Sequence, residues 1–407
     1  MVSIDNILQA ISQLESSCLK VHPERCLMIR NRNAKCLRCS EVCAAGAIEY
    51  DGEDLVIDIE KCIGCGTCAT ACPTCALEAV NPSDAMLSSQ VAKLLESGNS
   101  ITVSCGRALK DAKTLAEKKA QEESTFFKRV PPRFDTTELV QVVCLGRLDE
   151  SFFIEAAARG AKEIKLAYKS CETCKYHKGG ELARRVVESA LNLLRSHGYE
   201  MSIEFVSPLP EESYAQGDAS RLDYDASKRT TIQSLREMAK DGSFSSNKPD
   251  VEKEDPHFVK VSEDGTLPQF IPTRRNRILN SLRQIGNPVQ NDIKTRIWGT
   301  VSIDTDKCSS CRMCAVFCPT GAIEKYETDD GRIGIIHRPY KCVQCRMCET
   351  ICKNGVLTVS NEVSLESFEK GEAVAIPMKP LEWIPNRPDS IFSKMNAVLG
   401  GENNAFF

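Results

Sequence analysis

The chain has 407 residues, 27% of them charged, and a net charge of −4. That length allows about three domains, and so small a charge gives no general attraction to nucleic acid. No run of 18 apolar residues could span a membrane, and the opening Met-Val-Ser-Ile-Asp-Asn-Ile-Leu-Gln-Ala has no basic stretch ahead of an apolar core. No export signal is read, and a cytoplasmic location is expected. The 22 cysteines decide the class. Grouped at gaps of two and three residues, they suit metal ligation in a reducing compartment better than disulfides.

Taken in order, residues 4–19 carry Ile4, Ile7, Leu8, Ile11 and Leu14 on one helical face, with Ser3 or Asp5 as cap, which predicts a packing helix. A cysteine-rich segment follows. Cys62, Cys65, Cys68 and Cys72 have the spacing C-x2-C-x2-C-x3-C, closed by Pro73. The preceding run has Cys36, Cys39 and Cys43 at the last three positions of that pattern, but Asn33 at the first. A replacement stands upstream: intact runs begin Lys61-Cys62, Lys307-Cys308 and Lys341-Cys342, and Arg25-Cys26 has the same kind of basic residue before its thiol. Cys26 is therefore the expected fourth ligand, against a three-iron cluster or another donor such as Cys18. Cys75 reads differently. After their last thiols the other runs place Gly46, Gly321 and Gly355 where Cys75 stands, so Cys75 is expected to fill a turn site and not to ligate. Asp51-Gly52 and Asp330-Gly331 separate runs of strand character, which predicts hairpins.

From about residue 83 strands and helices alternate. Strands are expected at 101–105, 139–145, 163–168 and 202–206, and helices at 85–97, 108–121, 150–159 and 180–197, which implies a parallel sheet with crossovers. Cys105, Cys144, Cys171 and Cys174 all fall at carboxyl ends of these strands, where such folds bind ligands. Cys171-Glu-Thr-Cys174 alone could also be a redox dithiol, its thiolate favoured by a helix N-terminus and by Lys169 and Lys175, or a structural site. The segment Val-Val-Cys144-Leu-Gly-Arg147-Leu-Asp, then Gly160-Ala, Cys174-Lys-Tyr176 and a glycine-led helix with Arg184-Arg185, resembles the delta subunit of methyl-viologen-reducing hydrogenase over residues 101 to about 198. The resemblance implies a [2Fe-2S] cluster, on Cys105, Cys144, Cys171 and Cys174, that forwards electrons to heterodisulfide-reductase-type partners.

Residues 208–270 are polar and broken by Pro, Gly and Ser, with one possible helix at 227–239, and read as linker. Residues 272–285 form a basic amphipathic helix with Ile278, Leu279, Leu282 and Ile285 on one side and an expected solvated face of Arg274, Arg275, Arg277 and Arg283. Two intact runs follow, Cys308, Cys311, Cys314 and Cys318-Pro319, then Cys342, Cys345, Cys348 and Cys352. A proline-pinned tail around Trp383 either lies over its own domain or docks a neighbour.

Paired runs of this spacing resemble bacterial two-[4Fe-4S] ferredoxins, in which three cysteines of a run hold one cluster and the fourth crosses to the other. Zinc is the rival, but structural zinc sites pair C-x2-C knuckles about 12–20 residues apart. The resemblance implies cluster 1 on Cys26, Cys36, Cys39 and Cys72, and cluster 2 on Cys62, Cys65, Cys68 and Cys43. It implies cluster 3 on Cys308, Cys311, Cys314 and Cys352, and cluster 4 on Cys342, Cys345, Cys348 and Cys318.

The expected fold is multidomain α+β and α/β: dicluster ferredoxin-like units at 1–82 and 296–362, a central parallel-sheet domain at 83–207, a linker with the basic helix at 208–295, and an extended tail at 363–407. With no Rossmann or P-loop motif, no metal-hydrolase signature and five histidines, an electron-transfer subunit is expected, holding four [4Fe-4S] clusters and one [2Fe-2S] cluster. Its partners would be other subunits of an anaerobic redox complex, by analogy a hydrogenase, a formate dehydrogenase or a heterodisulfide-reductase-like flavoprotein. The alternatives are a ferredoxin-fed disulfide reductase using Cys171 and Cys174, and a redox-sensing or scaffold protein.

Overall fold

The computed structural model describes residues 18–31, 33–125, 129–214 and 266–380. Of the helix expected at 4–19, residues up to 17 lie outside the described residues, as do the possible helix at 227–239 and the tail beyond 380, while Leu19 begins a strand and not the end of that helix. Near the N-terminus, short apolar runs pair antiparallel. β1 (Leu19–Val21) lies against β4 (Leu77–Ala79), and β2 (Ile48–Tyr50) against β3 (Leu55–Ile57). The β2–β3 turn is fixed by the Asp51 carboxylate, which accepts from the Glu53 and Asp54 amides at 2.9 and 2.8 Å, and by Gly52 at φ 110°. Three short helices carry cysteines or adjoin them: α1 (Leu27–Arg30), α2 (Arg38–Val42) and α3 (Thr67–Ala71). Leu19, Ile48, Leu55 and Leu77 close a small core beneath them.

The central domain begins with α4 (Asp84–Leu95), capped by the Ser83 hydroxyl, which accepts from the Met86 amide. Four parallel strands then follow, β5 (Ser100–Cys105), β6 (Leu139–Val142), β7 (Glu163–Ala167) and β8 (Ser202–Val206), in the order β6-β5-β7-β8. Helices α5 (Gly106–Glu123), α6 (Glu150–Ala158) and α7 (His177–Ser196) connect them. Val103, Val140, Ile164 and Leu166 are fully buried, as the strands of a sheet covered on both faces should be. On α5 the buried residues are Ala108, Ala112, Ala116 and Ala120, a one-residue-wide stripe at i, i+4 spacing. The helix starts two residues earlier than expected because the Cys105 sulfur itself caps it, accepting from the Ala108 amide. β6 ends before Cys144, where the chain enters a 3-10 turn at Leu145–Arg147.

The basic helix is present as α8 (Thr273–Ile285) and buries Ile278 and Leu282 against α6. Its expected solvated face is a correction. Arg275 is buried, and the Arg274 side chain is only 11% exposed, because both face neighbouring units and not water; Arg283 is exposed. Beyond it, β9 (Asp292–Lys294) pairs with β14 (Glu362–Ser364), and β10 (Thr300–Ile303) with β13 (Leu357–Ser360). β11 (Ile323–Glu327) and β12 (Ile333–His337) form a hairpin, joined by β15 (Val374–Met378), so this part of the tail lies on its own unit. Helices α9 (Met313–Val316), α10 (Met347–Ile351) and α11 (Leu365–Glu369) complete the described chain. One continuous core joins Ala71, the central sheet and its helices, Ile278 and Leu282 of α8, and Trp298, Val363 and Leu365. A second joins Leu27 and Met28 to Met313, Phe317, Met347 and Ile351, so the two cysteine-rich units pack on each other.

Candidate metal centres

The loops that carry the thiols are wound by backbone geometry. In the three intact runs, both residues flanking the second cysteine are left-handed: Gly64 and Gly66 (φ 67° and 69°), Ser310 and Arg312 (57° and 54°), Gln344 and Arg346 (50° and 60°). This turns the chain tightly around a common centre and aims its amides inward, as with the Ser310 amide 3.4 Å from Cys308 Sγ. The broken run lacks that winding, with Leu37 at φ −119° after Cys36. Its remaining thiol neighbour arrives from a separate turn, as Cys26 caps α1. After the last thiols, Gly46, Gly321 and Gly355 have φ of 60°, 62° and 61°, and Cys75 has φ 51°, the turn site its alignment predicted. Its half-buried thiol lies within electrostatic reach of the Arg274 guanidinium.

The thiols fall in five neighbourhoods, although among the described residues no three of them converge closely enough to hold a single metal ion. Cys26 lies within electrostatic reach of Cys72 and Cys36, and Cys39 of Cys72, Cys26 and Cys36; burial first, and then these neighbours, push Cys39 up to about 12. Cys68 is raised by burial and by Cys65, Cys39, Cys43 and Cys62. Cys314 is raised by burial and by Cys311, Cys308 and Cys352. Cys348 is raised by burial and by Cys345, Cys342, Cys318 and Cys314. Most of these neighbours share an expected set, but Cys39 of the first acts on Cys68 of the second, and Cys314 of the third acts on Cys348 of the fourth. Cys18 stands beside Cys62, where a Cβ on Gly64 would lie 3.1 Å from its sulfur, and so neighbours the second set and not the first.

The central group comprises Cys105, Cys144, Cys171 and Cys174, which line one cavity of about 410 Å³. Burial raises Cys144 to about 12, with Cys65, Cys105 and Cys171 adding to it. The N-termini of α5 and α7, both long helices, point toward the group and favour negative charge there. Helix α7 approaches so closely that a Cβ on Gly179 would lie 2.4 Å from Cys144 Sγ, and one on Gly180 2.7 Å from Cys171 Sγ. Arg107 donates to Cys174, and the Tyr176 amide lies 3.4 Å from Cys174 Sγ.

The donor set fits iron–sulfur groups. Thiols pushed up by burial stay protonated unless a metal displaces the proton. Backbone amides stand at sulfur throughout, with Ala47 to Cys43 and Ala76 to Cys72 both at 3.3 Å, and such N–H···S contacts tune clusters.

Buried ion pairs hold the units at fixed spacing, a feature the sequence pattern did not reveal. Asp149, the N-cap of α6, accepts from Arg274 Nε at 2.7 Å, while the same guanidinium donates to the carbonyls of Ala69, Thr70 and Cys72 in a cysteine loop. Burial opposes the Asp149 charge, but Arg274 and Arg277 outweigh it and hold its carboxyl well below the usual range. Asp84 bridges Arg147 and Arg277, both at 2.6 Å.

Comparison with known proteins finds three family matches along the chain. A family model described as a 4Fe-4S dicluster domain matches residues 32–76, and one for a 4Fe-4S binding domain matches residues 301–324. That for the methyl-viologen-reducing hydrogenase delta subunit matches residues 116–214, which include Cys144, Cys171 and Cys174. A probable iron-sulfur subunit of the Frd operon of Proteus vulgaris is 44% identical over 43 residues, 11% of this chain and 27% of that protein, so the chain spans about a quarter of that relative's length. No solved structure matches. Among the described residues no helix is long and apolar enough to cross a membrane. The chain thus matches, in order along its length, a 4Fe-4S dicluster domain, a hydrogenase delta-subunit domain and a 4Fe-4S binding domain, and it holds at least two [4Fe-4S] clusters.

Proposed function

We propose that this chain is an iron–sulfur electron-transfer subunit that carries electrons between catalytic subunits of a larger redox complex. Two dicluster ferredoxin-like units would hold four [4Fe-4S] clusters on the four cysteine sets named above, and Cys105, Cys144, Cys171 and Cys174 would hold a [2Fe-2S] cluster. What supports this reading is the succession of the thiol groups. Cys144 of the central group neighbours Cys65 of the second set, and Cys68 of the second set neighbours Cys39 of the first. Arg38 acts on both Cys36 of the first set and Cys345 of the fourth, and donates to the Gln344 carbonyl at 3.0 Å. Cys348 of the fourth neighbours Cys314 of the third.

Thiolate-held iron–sulfur clusters exchange single electrons with little rearrangement, which is the chemistry such a series supplies. The protein's own part is to bind, exclude water and hold spacing. Apolar side chains such as Phe317, Met347 and Ile351 cover the sulfurs, backbone amides bond to them, and the buried arginine–carboxylate network keeps neighbouring loops from drifting. The complex it serves would be a hydrogenase, a formate dehydrogenase or a heterodisulfide-reductase-like enzyme, and anaerobic co-purification would identify it.

Iron analysis tests the reading. The anaerobically purified chain should carry about 18 iron atoms with matching acid-labile sulfide, or about 16 if the central group holds none. Stoichiometric zinc with little sulfide ends it. Cys105→Ala and Cys144→Ala should each remove the EPR signal that Cys174→Ala removes. If both are dispensable while Cys171 or Cys174 proves essential to a disulfide reductase activity, the central group is an active site and the other four its supply.

A further inference from the structure

Two arginines are buried without a salt bridge among the described residues. Arg30, 7% exposed on α1, donates Nη1 to the Glu24 carbonyl (2.9 Å) and Nη2 to the Pro268 carbonyl (2.7 Å), and its Nε has no partner. Arg275, 6% exposed on α8, leaves both Nε and Nη1 without a partner, its guanidinium 5.7 Å from the centre of the Tyr340 ring. Burial lowers both, Arg275 to about 10, as expected of cations short of anionic company. Sulfur supplies what company there is: Cys318 and Cys345 act on Arg30 ahead of Glu24, and Cys342 acts on Arg275 after Tyr340. The two side chains come from different units, and each reaches the chain beside one of these sulfurs. Arg30 holds Pro268, whose neighbours Leu267 and Phe270 donate to the carbonyls of Val316 and Pro319 on either side of Cys318. Arg275 lies over the Tyr340 ring and lines one cavity with Val343, on either side of Cys342. The corresponding thiol of the third set, Cys314, is governed instead by burial and its own three partner thiols.

Burying a guanidinium with unmatched N–H groups is costly unless an anion shares the site. Four thiolates on a cluster are such an anion, and one that gains charge on reduction. Fixed positive charge at short range in a poorly solvated pocket then favours the reduced form. We infer that Arg30 and Arg275 raise the reduction potential of the site formed by Cys318, Cys342, Cys345 and Cys348, each from a different unit docked over it. The inference rests on reading those four thiolates as one [4Fe-4S] site. A purely structural role, bracing the strand of chain at Pro268 or the face of Tyr340, would leave the potential where it is.

Redox-poised EPR titration of the anaerobically purified full chain, with iron and sulfide counted in each sample, is the test. Arg30→Met and Arg275→Met should keep wild-type iron and move the same one-electron transition to lower potential. The expected size is a tenfold change in its reduced-to-oxidised ratio at fixed poise, about 59 mV. Arg30→Lys and Arg275→Lys keep the charge and should move it less, and Arg283→Met, exposed on the same helix as Arg275, should move nothing. Unmoved midpoints in fully loaded Met variants overturn the inference, as do shifts in two different transitions. If a Met variant loses iron, its Lys counterpart decides: wild-type iron with a midpoint within about 59 mV of wild type supports a role for charge, and loss of iron or a larger shift overturns it. A wild-type chain with no four-iron signal would sink the ligation reading instead.

Discussion

Cys26 and Cys75 are both departures from a repeated pattern, and both could be interpreted by aligning the chain with itself. The Arg25-Cys26 pair matched the starts of the intact runs, and the fold brings Cys26 beside Cys36, Cys39 and Cys72. Cys75 matched three glycines and has their left-handed backbone. Cys26→Ser should convert one four-iron site to a three-iron form or empty it, seen as a new EPR signal or a loss of iron. Cys75→Gly should leave iron content unchanged, since the turn it serves is one glycine adopts freely. The position of Cys18 was not legible in the same way. It depends on how β1 runs past the loop of Gly64, a tertiary contact that no spacing encodes.

At the level of elements, the central strands and helices could be read almost to their ends because period and punctuation agree there. The face of α8 could not. Its arginines have the pattern of a solvated surface, and only the opposing Asp149, Asp84 and loop carbonyls make them interior. Asp149→Asn should therefore destabilise the protein by about 3–5 kcal/mol at neutral pH, the range for leaving a buried partner unpaired, measured by calorimetry. The folded-state value of Asp149 lies below its unfolded one, so its contribution is fully present above about pH 4. The gap between variant and wild type should stay level from pH 6 to 8 and would close only under acid. Helix α7 gives a sharper test. Gly179→Ala sets a Cβ where Cys144 Sγ stands and should abolish the central EPR signal while the four-iron signals persist.

For the whole molecule, the continuous core is the main fact. Trp298 is 1% exposed and packs edge-on to Phe368 at 5.1 Å, within the same cluster as the central sheet. Trp298→Ala should cost about 3–5 kcal/mol, and anaerobic calorimetry should show one lowered transition for the described units together, where independent beads would melt separately. The succession of units was visible in the sequence from its cysteine runs, but their mutual docking was not. That docking depends on single residues such as Arg274 and Arg38, which bridge elements far apart in the chain.

The sealing of the fourth cysteine set has a consequence for biosynthesis. Cys342 and Cys348 are buried, and the groups lying against that set come from elsewhere: Arg30 from the N-terminal unit and Arg275 from the basic helix. Once those elements have docked, a scaffold protein delivering iron would meet only the half-buried Cys345, with Cys318, Cys342 and Cys348 covered. Were a cluster held there, its insertion would have to come before final closure of the chain. Overproduction that outpaces delivery should yield a closed, underloaded population whose deficit concentrates at this one position and resists later reconstitution unless the protein is first loosened.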